Sequence, residues 1–521
     1  MKITIQKKYI KLPVNDMAYP KKVCLYQDGI LVFDFDCRLD EASPQYYGYI
    51  NVERFKGMTF AVCTEPAYRF VLEQTDEIPQ TDYNEDSRPQ VHFTARYGWL
   101  NDPNGPFYYN GLYHTFFQHN EASADWGNMT WGHAISKDLV HWEQKDSVIF
   151  PDARGAAFSG SAWIDYENAS GLQTGEHPPI LLFYTAAGHR SKLTEGLDYT
   201  QCLVYSTDGG DTFRHYSNNP IVEHMVFENR DPKVDYSEEL QKYVMILYLG
   251  DHTYMLMVSE DLLHWQKLQE ISEIQDMECP DFYPIYTEET GEKKWVMSTF
   301  NHWYLVGDFL NGKFVPCQQP KRLHYGAQCR ASQTFAGIPG NRRICASWEP
   351  VYMPKASFRC QLGIPMELKL HQVQSQYELT AFPVQEFDQL REQGETVNEI
   401  VLQGDNELSK LLPGDACDVV IQFGKSLGGT NINLFGTQIG IDFNMGTVHF
   451  RESVIPMQDT ENTTLRIVAD RSSVEIYLNG GRAYACNEHL MDKSCNLLKI
   501  TATDKVTIKK VNIFPLKSMW R

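Results

Sequence analysis

Apolar residues along this chain come in short blocks. Most are four to eight residues long, rich in Val, Ile, Phe, Tyr and Trp and bounded by Gly, Asp, Asn or Pro, while helical spacing is scarce. The pattern predicts a nearly all-β protein. Residues 1–85 alternate as in Gly29-Ile30-Leu31-Val32-Phe33-Asp34-Phe35 and read as a small accessory β domain, closed by a polar, acid-rich break from Thr75 to Pro89 that reads as a linker. Residues 86–365 carry a repeat. Ser136-Lys-Asp138-Leu139-Val-His141-Trp142 recurs as Ser259-Glu-Asp261-Leu262-Leu-His264-Trp265 and more weakly from Ser206 through Asp208 to Phe213. Ser and Asp side chains bind nearby backbone N–H groups, so each copy reads as a structural turn between strands.

Five similar apolar strands lie between these turns: Tyr113 to Gln118, Ile180 to Ala186, Tyr243 to Leu249, Trp295 to Phe300 and Arg343 to Trp348. A repeat of roughly 50–70 residues in an all-β chain is the mark of a propeller, because each sheet buries its faces only against neighbouring blades. Five strands predict five blades. Residues 371–521 alternate again, with Asn-Gly and Gly-Gly turns, and predict a C-terminal β-sandwich.

Composition narrows the function. With 521 residues, 42% of them hydrophobic, several cores are within reach. A formal net charge of −20 and the lack of a long Lys/Arg run speak against nucleic acid, anionic membranes and polyanionic substrates. No apolar stretch is long enough to span a bilayer. The polar N-terminus gives no secretory signal, and the twelve cysteines form no CxxC pairs, so the expectation is a reduced, cytoplasmic protein. The sixteen His residues are dispersed, so no metal site and no cofactor are expected.

Three acids stand in unusual settings. Asp102 is wedged between Gly98-Trp99-Leu100-Asn101 and Pro103-Asn104-Gly105; Asp231 lies between Arg230 and Pro232; Glu278 sits among Met277, Cys279 and Pro280. Each alone also reads as a structural acid, and Asp-Pro-Asn-Gly alone is a turn. Burial of Glu278 among apolar neighbours would raise its pKa, as a general acid requires. The three fall in different inter-strand regions of the propeller, whose inner-strand ends converge on one axis. Carboxylates clustered in such a funnel are an active-site hypothesis.

Over roughly residues 90–521 the chain closely resembles glycoside hydrolase family 32, the fructan-cleaving invertases, levanases and inulinases. Trp99 to Gly105 resembles the block that carries the family's nucleophile, Arg230-Asp231-Pro232 the block whose Asp steadies the fructosyl hydroxyls, and Glu278-Cys279 the block with the acid/base. The resemblance implies Asp102 as nucleophile, Glu278 as acid/base and Asp231 as transition-state stabiliser in a retaining mechanism. It also implies a fructose pocket that includes Asn101, Gln118, Trp126, Phe158, Ser159, Arg230 and Trp348. Asp470-Arg471-Ser472-Ser473-Val474-Glu475 resembles a block of the sandwich, with domain packing as its implied role.

The match fails where the family usually has Asp-x-Gly-x-Asp-Phe-Tyr-Ala, which here reads His324-Tyr325-Gly326-Ala327-Gln328-Cys329-Arg330-Ala331. If that loop rims the pocket, His324 and Arg330 offer donors to the leaving sugar, and sucrose is in doubt as the preferred substrate. The expected activity is exo-hydrolysis of terminal β-fructosyl linkages in disaccharides or short fructo-oligosaccharides, a blind funnel favouring one fructose at a time. A fructosyltransferase using the same residues and a non-catalytic fructan-binding protein are the alternatives. The accessory domain either packs over the funnel or makes a homo-oligomer, and nothing in its sequence chooses.

Overall fold

The computed structural model describes every residue except 227, 228, 413, 458, 460 and 521. Five sheets follow one another along the middle of the chain. Their inner strands are Gly98–Tyr109, Ala156–Ile164, Arg230–Ser237, Asp281–Tyr286 and Arg330–Thr334, and each pairs antiparallel with the next strand in sequence. The five apolar strands expected from the sequence are those second strands: Leu112–Asn120, Ile180–Ala187, Lys242–Gly250, Lys293–Ser298 and Arg343–Glu349. The ring closes where the first inner strand meets the last segment. Phe358 and Arg359 pair parallel with Gly98 and Trp99, and Tyr108 N donates to Ala336 O at 2.8 Å.

The fifth sheet extends past the boundary expected at residue 365. Met366–Val373 pairs with Arg343–Glu349, and Gln376–Pro383 pairs with Met366–Val373, so both strands belong to the propeller side. The Met366–Pro383 stretch alternates like a sandwich strand, which hid its partner. The sandwich proper consists of two further sheets built from residues 395–515 over one core of Leu, Ile, Val and Phe.

Each repeated turn is a local hydrogen-bond device. Asp138 Oδ1 accepts from Val140 N and His141 N, Trp142 Nε1 donates to Leu139 O, and Leu139 takes φ +66°. Asp261, Leu263, His264 and Trp265 repeat this, with Leu262 at φ +64°.

Residues 1–75 form a four-stranded and a three-stranded sheet around their own core. The following break is not a loose linker. Arg88 is fully buried, donates to Glu85, Thr94 Oγ1 and Ala95 O, and stacks 3.4 Å from the Phe358 ring centroid. A buried guanidinium satisfied on all sides ties the break that follows the accessory domain to the propeller's closure.

Propeller and sandwich share a fully buried polar cluster. His92 bonds Asp470 Oδ2 through Nδ1 at 2.8 Å and Glu475 Oε1 through Nε2 at 3.3 Å, with Glu349 beside it. Burial opposes a charge on His92, but the bonds to Asp470 and Glu475 hold its pKa well above the usual 6.5. The domain-packing role expected for the Asp470–Glu475 block has its physical basis in this cluster.

Candidate active site

Irregular backbone at one end of the inner strands creates the site. The register slips between Leu100 and Pro103, Phe158 and Gly160, Arg230 and Lys233, and Arg330 and Gln333. A bulge bends a strand and re-aims its side chains. Asp231, Cys279 and Ala331 adopt φ of +63°, +51° and +50°, strained for residues with a Cβ and held by surrounding bonds. Asp231 N donates to Thr185 Oγ1 at 2.9 Å, Phe300 N to Glu278 O and Ala331 N to Phe300 O.

Two of the three acids meet at one sulfur. Cys279 Sγ lies 3.6 Å from Asp102 Oδ2 and 3.5 Å from Asp231 Oδ2, and Cys279 N donates to Asp231 Oδ2 at 3.1 Å. The neighbouring Glu278 accepts from Arg230 Nε at 3.0 Å and Nη2 at 2.8 Å, and Arg230 Nε is 3.7 Å from Asp231. Ser159 Oγ donates to Asp102 Oδ2 at 2.7 Å. Behind it, Asn104, its amide oriented to suit its neighbours, donates to Ser159 Oγ at 3.2 Å and accepts from Gln118 Nε2 at 2.8 Å. Asn101 accepts from Trp99 Nε1 at 2.8 Å.

Desolvation and the charge of Glu278 push the Asp102 pKa from 3.8 up to about 6, against the bonds from Ser159 and Asn101. Burial pushes Asp231 up to about 7; Arg230 opposes this, and the charges of Glu278 and Asp102 add to it. Glu278 differs from expectation. Its side chain is 32% exposed and clasped by Arg230, so it is not enclosed by its apolar neighbours. Met277 on one side points to solvent, 42% exposed, and this removes the expected pocket.

Aromatic side chains run around this cluster. Trp348 packs with Cys279, Phe300 and Ala331, and its ring meets Trp99 at 6.2 Å. Trp99 and Phe158 pack in one cluster with Tyr199, and Trp126 stands edge-on to Phe158 at 5.9 Å, half exposed. Arg330 lies 5.4 Å from the ring of Phe300, which packs with Cys279, and donates to Ala327 O. His324 joins no acid. It is 3% exposed, accepts from Cys486 N at 3.2 Å and packs on Tyr484 of the sandwich, so it is unavailable to a sugar without unpacking that interface. The sequence could not reveal that the loop's first half turns into the sandwich while Arg330 packs on the propeller's Phe300.

Sequence reasoning missed Thr185, the bridging thiol of Cys279, and the Arg190–Tyr199 pair that packs on Phe158. The Glu-Cys block displayed Cys279 openly; Arg190 carried no signal. Among the described residues, His92, Glu349 and Glu475 are the group whose ligand atoms could hold an ion. Both His92 nitrogens are already engaged by carboxylates, which fits an imidazolium lock better than a metal ligand.

Paired carboxyls under an aromatic rim can attack a carbon from one side and protonate a leaving oxygen from the other, and the comparisons agree with that class: this is a glycoside hydrolase. The model of the glycosyl hydrolases family 32 N-terminal domain matches residues 92–383, and that of the family 32 C terminal matches residues 386–515. The chain belongs to glycoside hydrolase family 32. A levanase of Bacillus subtilis is 31% identical over 502 residues, 85% of this chain and 72% of that protein. An invertase of Schizosaccharomyces pombe is 31% identical over 366 residues, 63% of this chain and 62% of that protein. The chain spans 34% of a Streptococcus mutans fructan beta-fructosidase and 53% of a levanase from a further Bacillus, so several relatives are much longer. Among solved structures, an Aspergillus awamori exo-inulinase aligns with TM-score 0.75 at 24% identity, and a Schwanniomyces occidentalis fructofuranosidase complexed with fructose with 0.75 at 25%. Each alignment covers 84% of this chain and 100% of the other.

Proposed function

We propose that the chain is a retaining, exo-acting β-fructofuranosidase that hydrolyses terminal β-fructosyl linkages of disaccharides or short fructo-oligosaccharides. The observation that carries this reading is that Asp102 and Asp231, from the first and third inner-strand regions, close on the Cys279 sulfur, while Glu278, beside Cys279 ahead of the fourth, is clasped by the Arg230 that also lies next to Asp231. The levanase, invertase and exo-inulinase names of its relatives support the fructosyl side of the reading.

Asp102 attacks the anomeric carbon of the fructosyl unit while Glu278 protonates the departing oxygen. Water then attacks the fructosyl ester with Glu278 taking its proton, and Asp102 leaves as a carboxylate. Ser159 holds one carboxylate oxygen of Asp102 through its 2.7 Å bond, leaving the other free to react. Arg230 holds the Glu278 carboxyl in place, and Asp231, pushed up to about 7 and so only part-protonated near neutrality, is suited to exchange hydrogen bonds with the fructosyl hydroxyls. Asn101, Gln118, Trp126, Phe158 and Trp348 shape the fructose pocket, and Arg330 reaches toward the leaving group.

The test is release of fructose from sucrose, inulobiose, levanbiose, kestose and inulin by wild type and Asp102→Asn. Fructose released one unit at a time by wild type, at a rate at least ~1,000-fold above that of the variant, supports the reading. Larger oligosaccharides appearing first from inulin would refute exo action, and full activity of Asp102→Asn would refute the nucleophile.

A further inference from the structure

A cavity of about 740 Å³ lies outside the carboxylate cluster, between the accessory domain and the propeller. One wall comes from the accessory domain, with Lys22, Asp36, Arg38 and Glu65; the other carries Trp126, Phe158 and Arg190. Phe158 packs with Trp99 and Tyr199 on one side and, together with Trp126, lines this cleft on the other. The aromatic arc that starts at Trp348 and passes Trp99 ends here.

The two walls are clamped without being closed. Arg38 pairs with Asp125, and Lys192 pairs with Glu65. Asn128 Oδ1 accepts from Asp36 N at 2.9 Å, and Asn128 Nδ2 donates to Asp36 O at 2.8 Å. Buried Asp34 accepts from Lys192 N and Leu193 N, both at 2.9 Å, so the accessory domain fixes the loop that carries Arg190. Arg190 in turn donates to Tyr199 and places its guanidinium 5.4 Å from Phe158 and 5.9 Å from Trp126. A plain docking interface would have packed this space. Here ion pairs hold it open.

We propose that this cleft is a second sugar site, built jointly by the accessory domain, which binds the further units of a short fructo-oligosaccharide on the leaving-group side of the scissile bond. The assignment rests on the proposed fructosidase activity. Its volume suits a small ligand of a few rings, a half-exposed indole offers a stacking face, and the alternating cations and carboxylates present fixed donors and acceptors for vicinal hydroxyls. Because both walls are pinned, binding there costs little ordering, which is what converts remote contacts into affinity.

The test uses the full chain with Lys22→Ala/Asp36→Ala, and separately Arg190→Ala. The double variant removes an ion pair and keeps the net charge, and it leaves Asp34, Lys22's second partner, its bonds from Lys192 N and Leu193 N. The ratio of kcat/KM on nystose to kcat/KM on sucrose should fall about tenfold in each, the loss of one or two sugar hydrogen bonds. Nystose titrated into Asp102→Asn should bind about tenfold more weakly when the Lys22 and Asp36 substitutions are added. Unchanged ratios and affinities in enzyme that hydrolyses both sugars would overturn the second site alone, as would equal losses on both sugars. A wild type that hydrolyses neither sugar would overturn the fructosidase reading and this site with it.

Discussion

Replacing Glu278 by Gln tests the electrostatic coupling at the centre of the site. Asp102 is raised from 3.8 to about 6, burial contributing most and the Glu278 charge next. That shift of roughly 2 units corresponds to about 3 kcal/mol before solvent screening. Glu278 ranks behind burial, and the bonds from Ser159, Asn101 and Cys279 offset part of what the two together contribute. Removing its charge, which also frees Arg230 to turn toward Asp231, lowers the Asp102 pKa by about 0.5–1 unit. The attacking carboxylate is needed ionised, so kcat/KM rises with pH through the Asp102 pKa, and this acid limb moves to lower pH in the variant. A fructoside whose leaving group needs no protonation keeps the rate measurable, and the kcat/KM profile from pH 3 to 8 reports the free enzyme. On sucrose the variant should lose far more rate than on the activated substrate. An acid limb that stays in place or moves upward would refute the coupling.

Further outcomes follow from the same geometry. Asp102→Asn removes a partly buried charge that destabilises the fold once it ionises. Since the folded pKa lies above the unfolded one, the variant should gain about 1–2 kcal/mol at pH 7 after discounting for solvent and nothing at pH 3; equal melting temperatures at pH 7 would contradict the raised pKa. Arg230→Lys keeps the charge but loses the two-point grip on Glu278, so kcat should fall ~10–100-fold with folding intact, and a near-normal kcat would show that the grip is dispensable. His92→Gln leaves the buried carboxylates of Asp470 and Glu475 without their cation and should cost about 3–5 kcal/mol, read as a lower melting temperature. In wild type this contribution is complete below pH 6.5 and fades as pH rises through the elevated folded pKa of His92, so the melting-temperature gap should narrow in alkali.

Much of the fold was legible because propeller and sandwich strands announce themselves by period and by turns such as Ser136 to Trp142. The end of the propeller was not, because Met366–Pro383 alternates like the sandwich strands and only its pairing with Arg343–Glu349 assigns it. Buried Arg88 was hidden for a related reason: an acid-rich, Pro-containing stretch reads as solvated until its Thr94, Ala95 and Phe358 partners arrive from elsewhere in the fold. In the site, short motifs exposed the three acids, while their convergence depends on bulges that leave no mark in composition. His324 shows the limit most plainly. Six residues on, Arg330 packs on Phe300 of the propeller, and a local reading could not separate a side chain turned into the sandwich from one held on the propeller.

Attack of Asp102 on the sugar is read by rapid-quench mass spectrometry of enzyme mixed with an activated fructoside, using Glu278→Gln to slow the second step. One fructosyl unit should be attached to the peptide containing Asp102, and it should be absent in the further Asp102→Asn variant. Turnover without any modified peptide, or a fructosyl unit on Asp231 or another residue, would contradict Asp102 as the nucleophile.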